Sequence, residues 1–294
     1  MTVRRSGEGQ PERTLALLWR NHRKPARGAE QATPSREARP SADYTAAAEG
    51  TERADAGPRG RRRGAGRRPS LDVDGVVLAG IRLADEQGLA AASMGRVAKE
   101  LNVGTMTLYT YVPSKEELLD LMVDQVLSER ELPGPGEPRP EDWRDQVELY
   151  SEQTRAMFQR HPWLAQVSTI RPPIGPGMLA GREYLLSALL GLGLSAWETN
   201  MAALSITTYV DSAAGLEAES ELVERSTGQS NDAWWYERSD LWETYFDVER
   251  HPAMTAIWNA NGYQSGTHEA AAESYRYGLD RLLNGIQAMT PETL

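Results

Sequence analysis

From residue 70 onward, apolar side chains recur at spacings of three and four, the pattern of helices that each bury one face, and no run alternates as a half-buried strand would. Val73, Val76, Val77, Ile81 and Ala84 form the first stripe, and Gly88 follows where a helix would end in a left-handed residue. Ser93 is placed to cap a second, short helix running to Leu101, and Thr105 to cap a third running to Tyr111. Only Asn102, Val103 and Gly104 lie between them. Ser114-Lys115-Glu116-Glu117 reads as a capping box opening a fourth helix that carries Leu118, Leu119, Leu121, Met122 and Val126, and Pro113 parts it from the third.

Past Leu132 the chain runs through a Pro- and Gly-rich stretch to Pro140, and helical periodicity resumes at Glu141. Helices are expected at 141–160, 163–169, 177–191, 195–218, 231–248, 251–259 and 268–288. The pattern therefore predicts an all-α chain in four parts. Residues 1–69 form a basic, mostly disordered extension, 70–130 a three-helix helix-turn-helix domain with a supporting fourth helix, 131–140 a linker, and 141–290 a larger helical domain.

The stretch 94–113 meets the steric demands of a helix-turn-helix. Ala98 supplies the small side chain for a close crossing, and four residues later Asn102 occupies the turn position that needs a positive φ, which Gly and next Asn tolerate. Val97, Leu101, Val103, Leu108 and Tyr111 supply the shared apolar face. On the other side of the third helix, Thr105, Met106, Thr107, Tyr109 and Thr110 offer hydroxyls, a thioether and a phenol, groups that hydrogen-bond phosphates or touch thymine methyls.

Charge divides the chain. Residues 1–69 carry a net +8 and the remainder −18, within a total of −10 over 294 residues. Apart from Leu15, Leu17, Leu18 and Trp19 the extension has little to bury, which is why it reads as disordered. Its densest charge, Arg59, Arg61, Arg62, Arg63, Arg67 and Arg68, stands just ahead of the first stripe, whereas residues 70–130 carry a net of −5. That balance is poor for holding phosphates, so the Arg run is expected to supply the missing cations along a backbone or in a narrow minor groove.

The stretch Ser93-Met-Gly-Arg-Val-Ala-Lys-Glu-Leu-Asn-Val-Gly-Thr-Met-Thr-Leu-Tyr-Thr-Tyr-Val-Pro-Ser-Lys-Glu-Glu-Leu-Leu resembles the DNA-binding region of the tetracycline-repressor (TetR) family, above all in Thr107-Leu108-Tyr109, Tyr111 and Ser114-Lys115-Glu116. His161-Pro162-Trp163-Leu164 and Tyr277-Gly-Leu-Asp-Arg-Leu-Leu-Asn-Gly-Ile286 are similar to the regulatory domain of the branch that contains the tetracycline repressor itself. The resemblance implies that Thr107, Tyr109 and Lys115 hold DNA phosphates, and that Thr105, Met106, Thr110 and Tyr111 reach base edges or the adjacent backbone, with Ser93 and Met94 beside them. Gly95 departs from that branch, which has a base-reading side chain there, so an operator sequence does not transfer.

The resemblance also implies an effector pocket within the second domain, which holds seven of the eight tryptophans. Trp163, Met178, Tyr184, Met201, Thr208 and Trp242 are the expected lining, for a drug-like or polyketide-like molecule. Similar proteins pair the helices here at 195–218 and 268–288 with their copies in a second subunit, and a two-fold dimer suits a pseudo-palindromic operator. The expected function is a ligand-responsive DNA-binding repressor. A constitutive dimeric DNA-binding protein whose second domain only dimerises, or an activator, stays open.

No enzyme, metal or cofactor site is expected. Cysteine is absent, and the four histidines, at 22, 161, 251 and 268, share no helical face at ligand spacing. Gly191-Leu-Gly193 follows no strand, and Ser265-Gly266 lacks a nucleophile elbow. The longest apolar stretch, Leu185 to Leu194, is half the roughly 20 residues of a bilayer crossing, and no secretion signal follows Met1, so a cytoplasmic location is expected and no membrane partner.

Overall fold

The computed structural model describes residues 4–22, 71–263 and 265–290, and these form helices joined by turns and loops, with one pair of two-residue strands. Helix α1 spans Pro11–Leu18, and α2 spans Val73–Gln87. The helix-turn-helix follows as α3, Met94–Glu100, and α4, Thr105–Tyr109, and α5 runs Lys115–Leu127. Beyond it lie α6 (Trp143–Arg160), α7 (Pro176–Leu189), α8 (Ala196–Thr227), α9 (Asn231–Tyr236), α10 (Pro252–Asn259) and α11 (Thr267–Gln287).

Local chemistry sets the ends of these helices. The Asp72 carboxylate caps α2 by accepting from the Gly75 amide at 2.7 Å, and the Ser114 hydroxyl accepts from the amides of Glu116 and Glu117 at the start of α5. The Glu117 carboxylate in turn accepts from the Ser114 hydroxyl. Ser195 and Glu198 form the reciprocal capping box of α8, which ends at Gly228 with φ +69°. Neither Ser93 nor Thr105 caps by its side chain: Ser93 flanks α3 without that bond, and the residue flanking α4 is Gly104.

Two hydrophobic packings organise the chain. Val76, Val77 and Ile81 of α2 meet Leu118, Leu121, Met122 and Val126 of α5, with Gly80 leaving room for the Met122 thioether. In the second half Val147, Tyr150, Tyr184, Leu185, Leu189, Ala202, Ile206, Val210, Leu279, Leu283 and Ile286 share one core drawn from α6, α7, α8 and α11.

Three expectations change. The first stretch of the extension is folded: Arg4–Arg5 (β1) pairs in parallel with Val167–Ser168 (β2), and α1 packs on α5 with Leu18 buried. The few apolar residues of that stretch suffice because hydrogen bonds to distant partners add to them, as set out below. Residues 23–69, with the Arg run, lie outside the described residues. The second change is β2 itself, a two-residue strand where the 163–169 helix was expected; the helical part is a single tight turn, Pro162–Gln166. The third is the segment expected as one helix over 231–248. It breaks after Tyr236 and resumes as a wide five-residue turn at Leu241–Tyr245.

Candidate DNA interface and effector cavity

Between α3 and α4 the turn closes as its residue types require. Asn102 adopts φ +54°, and the Val103 amide donates to the Ala98 carbonyl at 2.9 Å. Val97 and Leu108 are fully buried between the helices, which turns Thr105, Met106, Thr107, Tyr109 and Thr110 outward. Met106 is 78% exposed and Tyr109 40%, so α4 presents its polar and thioether groups to solvent. Tyr111 is half-buried, and Thr110 Oγ donates to the Thr107 carbonyl at 2.6 Å, which occupies part of its bonding capacity. Ser93 is exposed, whereas Met94 is largely buried and borders the groove described next.

Ser93, Tyr109, Ser114 and Lys115 line one groove of about 520 Å³, together with Arg4 from β1. Lys115 stands exposed in the first turn of α5, where helix amides and an ammonium favour an anion. Its nearest acidic neighbour is Glu116 at 3.5 Å, an exposed pair that competes weakly with a phosphate. Beside the end of α4 the groove thus offers a phenol, two hydroxyls and two cationic side chains, with the Glu116 carboxylate among them.

In the second half a cavity of about 680 Å³ opens between α6, α7, α8 and the 164–172 segment. Its apolar wall comes from Leu127, Met157, Phe158, Leu164, Met178 and Leu204, and its polar groups include Arg130, Tyr150, Thr207, Thr208 and Asp211. Volume and lining suit a drug-sized molecule with apolar faces and a few oriented polar groups. Arg130 is buried; its guanidinium donates to the Tyr150 hydroxyl at 3.1 Å and its Nε to the Leu127 carbonyl at 3.1 Å.

Burial pushes the Asp211 carboxyl up to about 6, against the pull of the nearby Arg130 charge. The ionised form therefore costs stability above that pH, and the cost disappears as the carboxyl takes a proton between about 6 and 3.8. Asp211→Asn should raise the melting temperature at pH 8 and leave it nearly unchanged at pH 4; equal gains at both would contradict this.

Of the expected lining residues, Met178 and Thr208 stand in this cavity and the others stand elsewhere. Trp163 is buried outside it, its indole N–H donating to Asp85 at 2.8 Å. Tyr184 is buried in the α6–α8 core, and Met201 is half-buried on α8. Trp242 lines a separate cavity of about 260 Å³, stacked on Trp258 at 6.0 Å. Helical period marked these side chains as inward-facing but could not say which interior they entered. Arg130, Tyr150 and Asp211 were missed; a buried Arg at the end of a helix, spaced from a carboxylate far along the chain, leaves no local signal.

The two halves also meet at His161, which is buried with Nδ1 2.8 Å from Asp85 on α2 and Nε2 2.8 Å from Glu129 just past α5. Burial works against its charge, but the two carboxylates outweigh it and raise its pKa above 6.5. The imidazolium's contribution is thus complete below pH 6.5 and is lost as pH rises through the raised value. His161→Asn should lower the melting temperature more at pH 6 than at pH 9. The same loss at both would show that the ring's charge contributes nothing.

Among the described residues no group of His, Asp or Glu side chains is placed to hold a metal ion, and no helix is long and apolar enough to cross a membrane.

Comparison with known proteins places these features in context. Residues 76–122 match the family model for bacterial regulatory proteins of the tetR family, and residues 135–290 match the tetracyclin repressor-like C-terminal domain. An HTH-type transcriptional repressor, DrrR1, of Streptomyces coeruleorubidus is 36% identical over 233 residues, covering 79% of this chain and 83% of its own. The Streptomyces coelicolor TetR family protein ActR, crystallised with actinorhodin, superposes with a TM-score of 0.63 at 26% identity over 77% of this chain and all of its own. The same protein with (S)-DNPA gives 0.60 at 27% identity, over 75% of this chain and 99% of its own.

Proposed function

Because the chain belongs to the tetracycline-repressor family of transcriptional regulators, we propose that it is a repressor whose homodimer holds a pseudo-palindromic operator and lets go when an effector fills the 680 Å³ cavity. The observation that carries this reading is the pairing, in one chain, of an outward-facing α4 with a solvent-open amphipathic cavity. Thr107, Tyr109 and Lys115 hold phosphates; Thr105, Met106, Thr110 and Tyr111 approach base edges or adjacent backbone. Arg61, Arg62, Arg63, Arg67 and Arg68 add cationic contacts ahead of α2. Changing all of these arginines to Gln should lower both affinity and its salt dependence, and an unchanged salt slope would remove them from the interface.

The effector is a flat, polycyclic, oxygen-rich molecule of polyketide type. Support comes from the apolar wall facing Arg130, Tyr150, Thr207 and Asp211, and from the binding of actinorhodin by ActR. Such a ligand acts only through its preference for one conformation, and a hundredfold release of DNA needs about 2.7 kcal/mol of coupling. The dimer forms through α8 and α11. Leu279, Leu283 and Ile286 of α11 are used inside the chain, so its remaining face, with the exposed Tyr277, meets the partner beside Leu216 and Val223 of α8. The protein acts in the cytoplasm.

Titrating actinorhodin and (S)-DNPA into the protein bound to fluorescent DNA from its own upstream region tests this. Release of DNA with a matching rise in melting temperature supports the reading. DNA binding by a monomer in light scattering, or binding that no member of a polyketide panel reverses, overturns it in favour of constitutive binding.

A further inference from the structure

One element joins the DNA groove to the cavity, and it lies in the N-terminal segment. Arg4 pairs through its backbone with Val167, and Arg5 with Ser168, while the Arg4 residue also lines the groove that holds Tyr109 and Lys115. Val167, Ser168, Thr169, Ile170 and Pro172 form the rim of the cavity. A single two-residue strand thus touches both places.

The rest of the segment is bonded to both sides in turn. Toward the rim, the Ser6 amide donates to the Ser168 carbonyl at 3.1 Å, and its hydroxyl reaches the carbonyls of Ser168 and Arg171 at 3.0 Å each. Further on, the Trp19 indole donates to the Ile174 carbonyl at 2.9 Å. Toward the DNA-binding helices, the Gly7 amide donates to Asp120 at 2.7 Å and the Gln10 amide to Glu117 at 3.2 Å, both on α5. Arg20 closes the segment on Asp74 at the start of α2. Glu117 is the same carboxylate that braces the Ser114 cap beside Lys115. Gly7 sits at φ +73°, and a Cβ there would come within 2.6 Å of the Arg171 carbonyl, so the crossing admits no side chain.

We propose that residues 4–20 are a strap that sets Arg4 against the DNA backbone and transmits occupancy of the cavity from its rim to the start of α5. The proposal deepens the repressor reading and rests on it. A ligand that shifts the 167–172 rim shifts β1 with it, because the strands share their hydrogen bonds. It thereby moves a cation in the DNA groove and the bonds from Gly7 and Gln10 that steady α5. Coupling of this kind has a physical carrier with contacts at both ends.

The chain's lack of cysteine allows a test that needs neither the natural effector nor DNA. Ser212 is exposed on α8 and lines the cavity, so Ser212→Cys provides one thiol, which N-(1-pyrenyl)maleimide converts to a covalent occupant verified by mass. Hydrogen exchange is then compared in labelled and unlabelled full-length protein. Labelling should alter exchange in both 164–172 and 115–124. Adding Gly7→Val, whose side chain presses on the rim at Arg171, should cut the second response about threefold or more relative to the first, and Ser6→Ala should cut it by a smaller factor should the bulkier change impair folding. A 115–124 segment that is unresponsive in the intact chain, or equally responsive in the variants, overturns the strap. Separately, Arg4→Gln should lower the salt slope of DNA binding by about one. An unchanged slope removes Arg4 from the interface, whereas absence of any DNA binding by the unaltered protein would count against the repressor reading and leave the exchange result to judge the strap.

Discussion

Tyr109→Phe and Lys115→Gln combined should weaken operator binding about a hundredfold, because each removes a hydrogen bond to a charged phosphate worth roughly 1.5 kcal/mol. Tyr109 and Lys115 are both exposed and border the same groove, so neither change leaves a buried group without a partner. The melting temperature should stay within a degree or so of the parent, since the Lys115–Glu116 pair is exposed and contributes little. The two changes should also separate by mechanism. Lys115→Gln lowers the slope of log affinity against log salt by about one, while Tyr109→Phe reduces affinity and leaves that slope alone. Fluorescence anisotropy at a series of salt concentrations reads both. A drop below threefold for the pair, with the fold intact, would mean that α4 meets something other than a phosphate backbone.

The second large effect concerns the junction of α5 with α7. Asp124 of α5 accepts from the Met178 amide at 3.0 Å and from the Gly177 amide at 3.3 Å, at the N-terminal end of α7 where helix amides point outward. Gly175 and Gly177 lie so close to α5 that any side chain at either would meet Asp124 itself or the backbone beside it. Asp124→Ala leaves buried amides without an acceptor and should cost roughly 3 kcal/mol. For a chain of this size that is a fall of roughly 6–12 °C in melting temperature. Met178 lines the cavity, so the same change should loosen its wall and weaken effector binding. Thermal unfolding of the variant, with Asp124→Asn as an isosteric companion, checks this. A loss under a degree for the alanine variant would show that the two helices are held by apolar packing alone.

Much of the DNA-binding half was legible in the chain because its determinants are local. Asn102 declares its own backbone conformation, the spacing from Ser114 to Glu117 declares a helix start, and the stripe from Val73 to Ala84 declares a face. The strap was not legible, since Ser6 and Gly7 depend on Ser168, Arg171 and Asp120, more than a hundred residues away, and no local rule connects them. Compositional bias worked against it as well, because one sparse hydrophobic patch sits inside a long polar extension.

The cavity was half legible. Met178 and Thr208 lie on it, but large aromatics such as Trp163 and Tyr184 went to solid core, where burying a wide ring stabilises most. The groups that give the cavity its chemistry, Arg130 and Asp211, read in sequence as ordinary surface charges. Their role depends on how α5, α6 and α8 converge, which is a property of packing. Between Tyr236 and Leu241 the turn-forming stretch Glu237-Arg238-Ser239-Asp240 interrupts a run of aromatics that pattern alone joined into one helix.

Footprinting of the full-length protein on its own upstream DNA, at low and at moderate ionic strength, bears most directly on the outward-facing α4. Two protected half-sites centred about one helical turn apart, roughly 34 Å, with protection that fades as salt rises, is the predicted result. A blank footprint at low salt, or protection that tolerates Tyr109→Phe with Lys115→Gln, would contradict it.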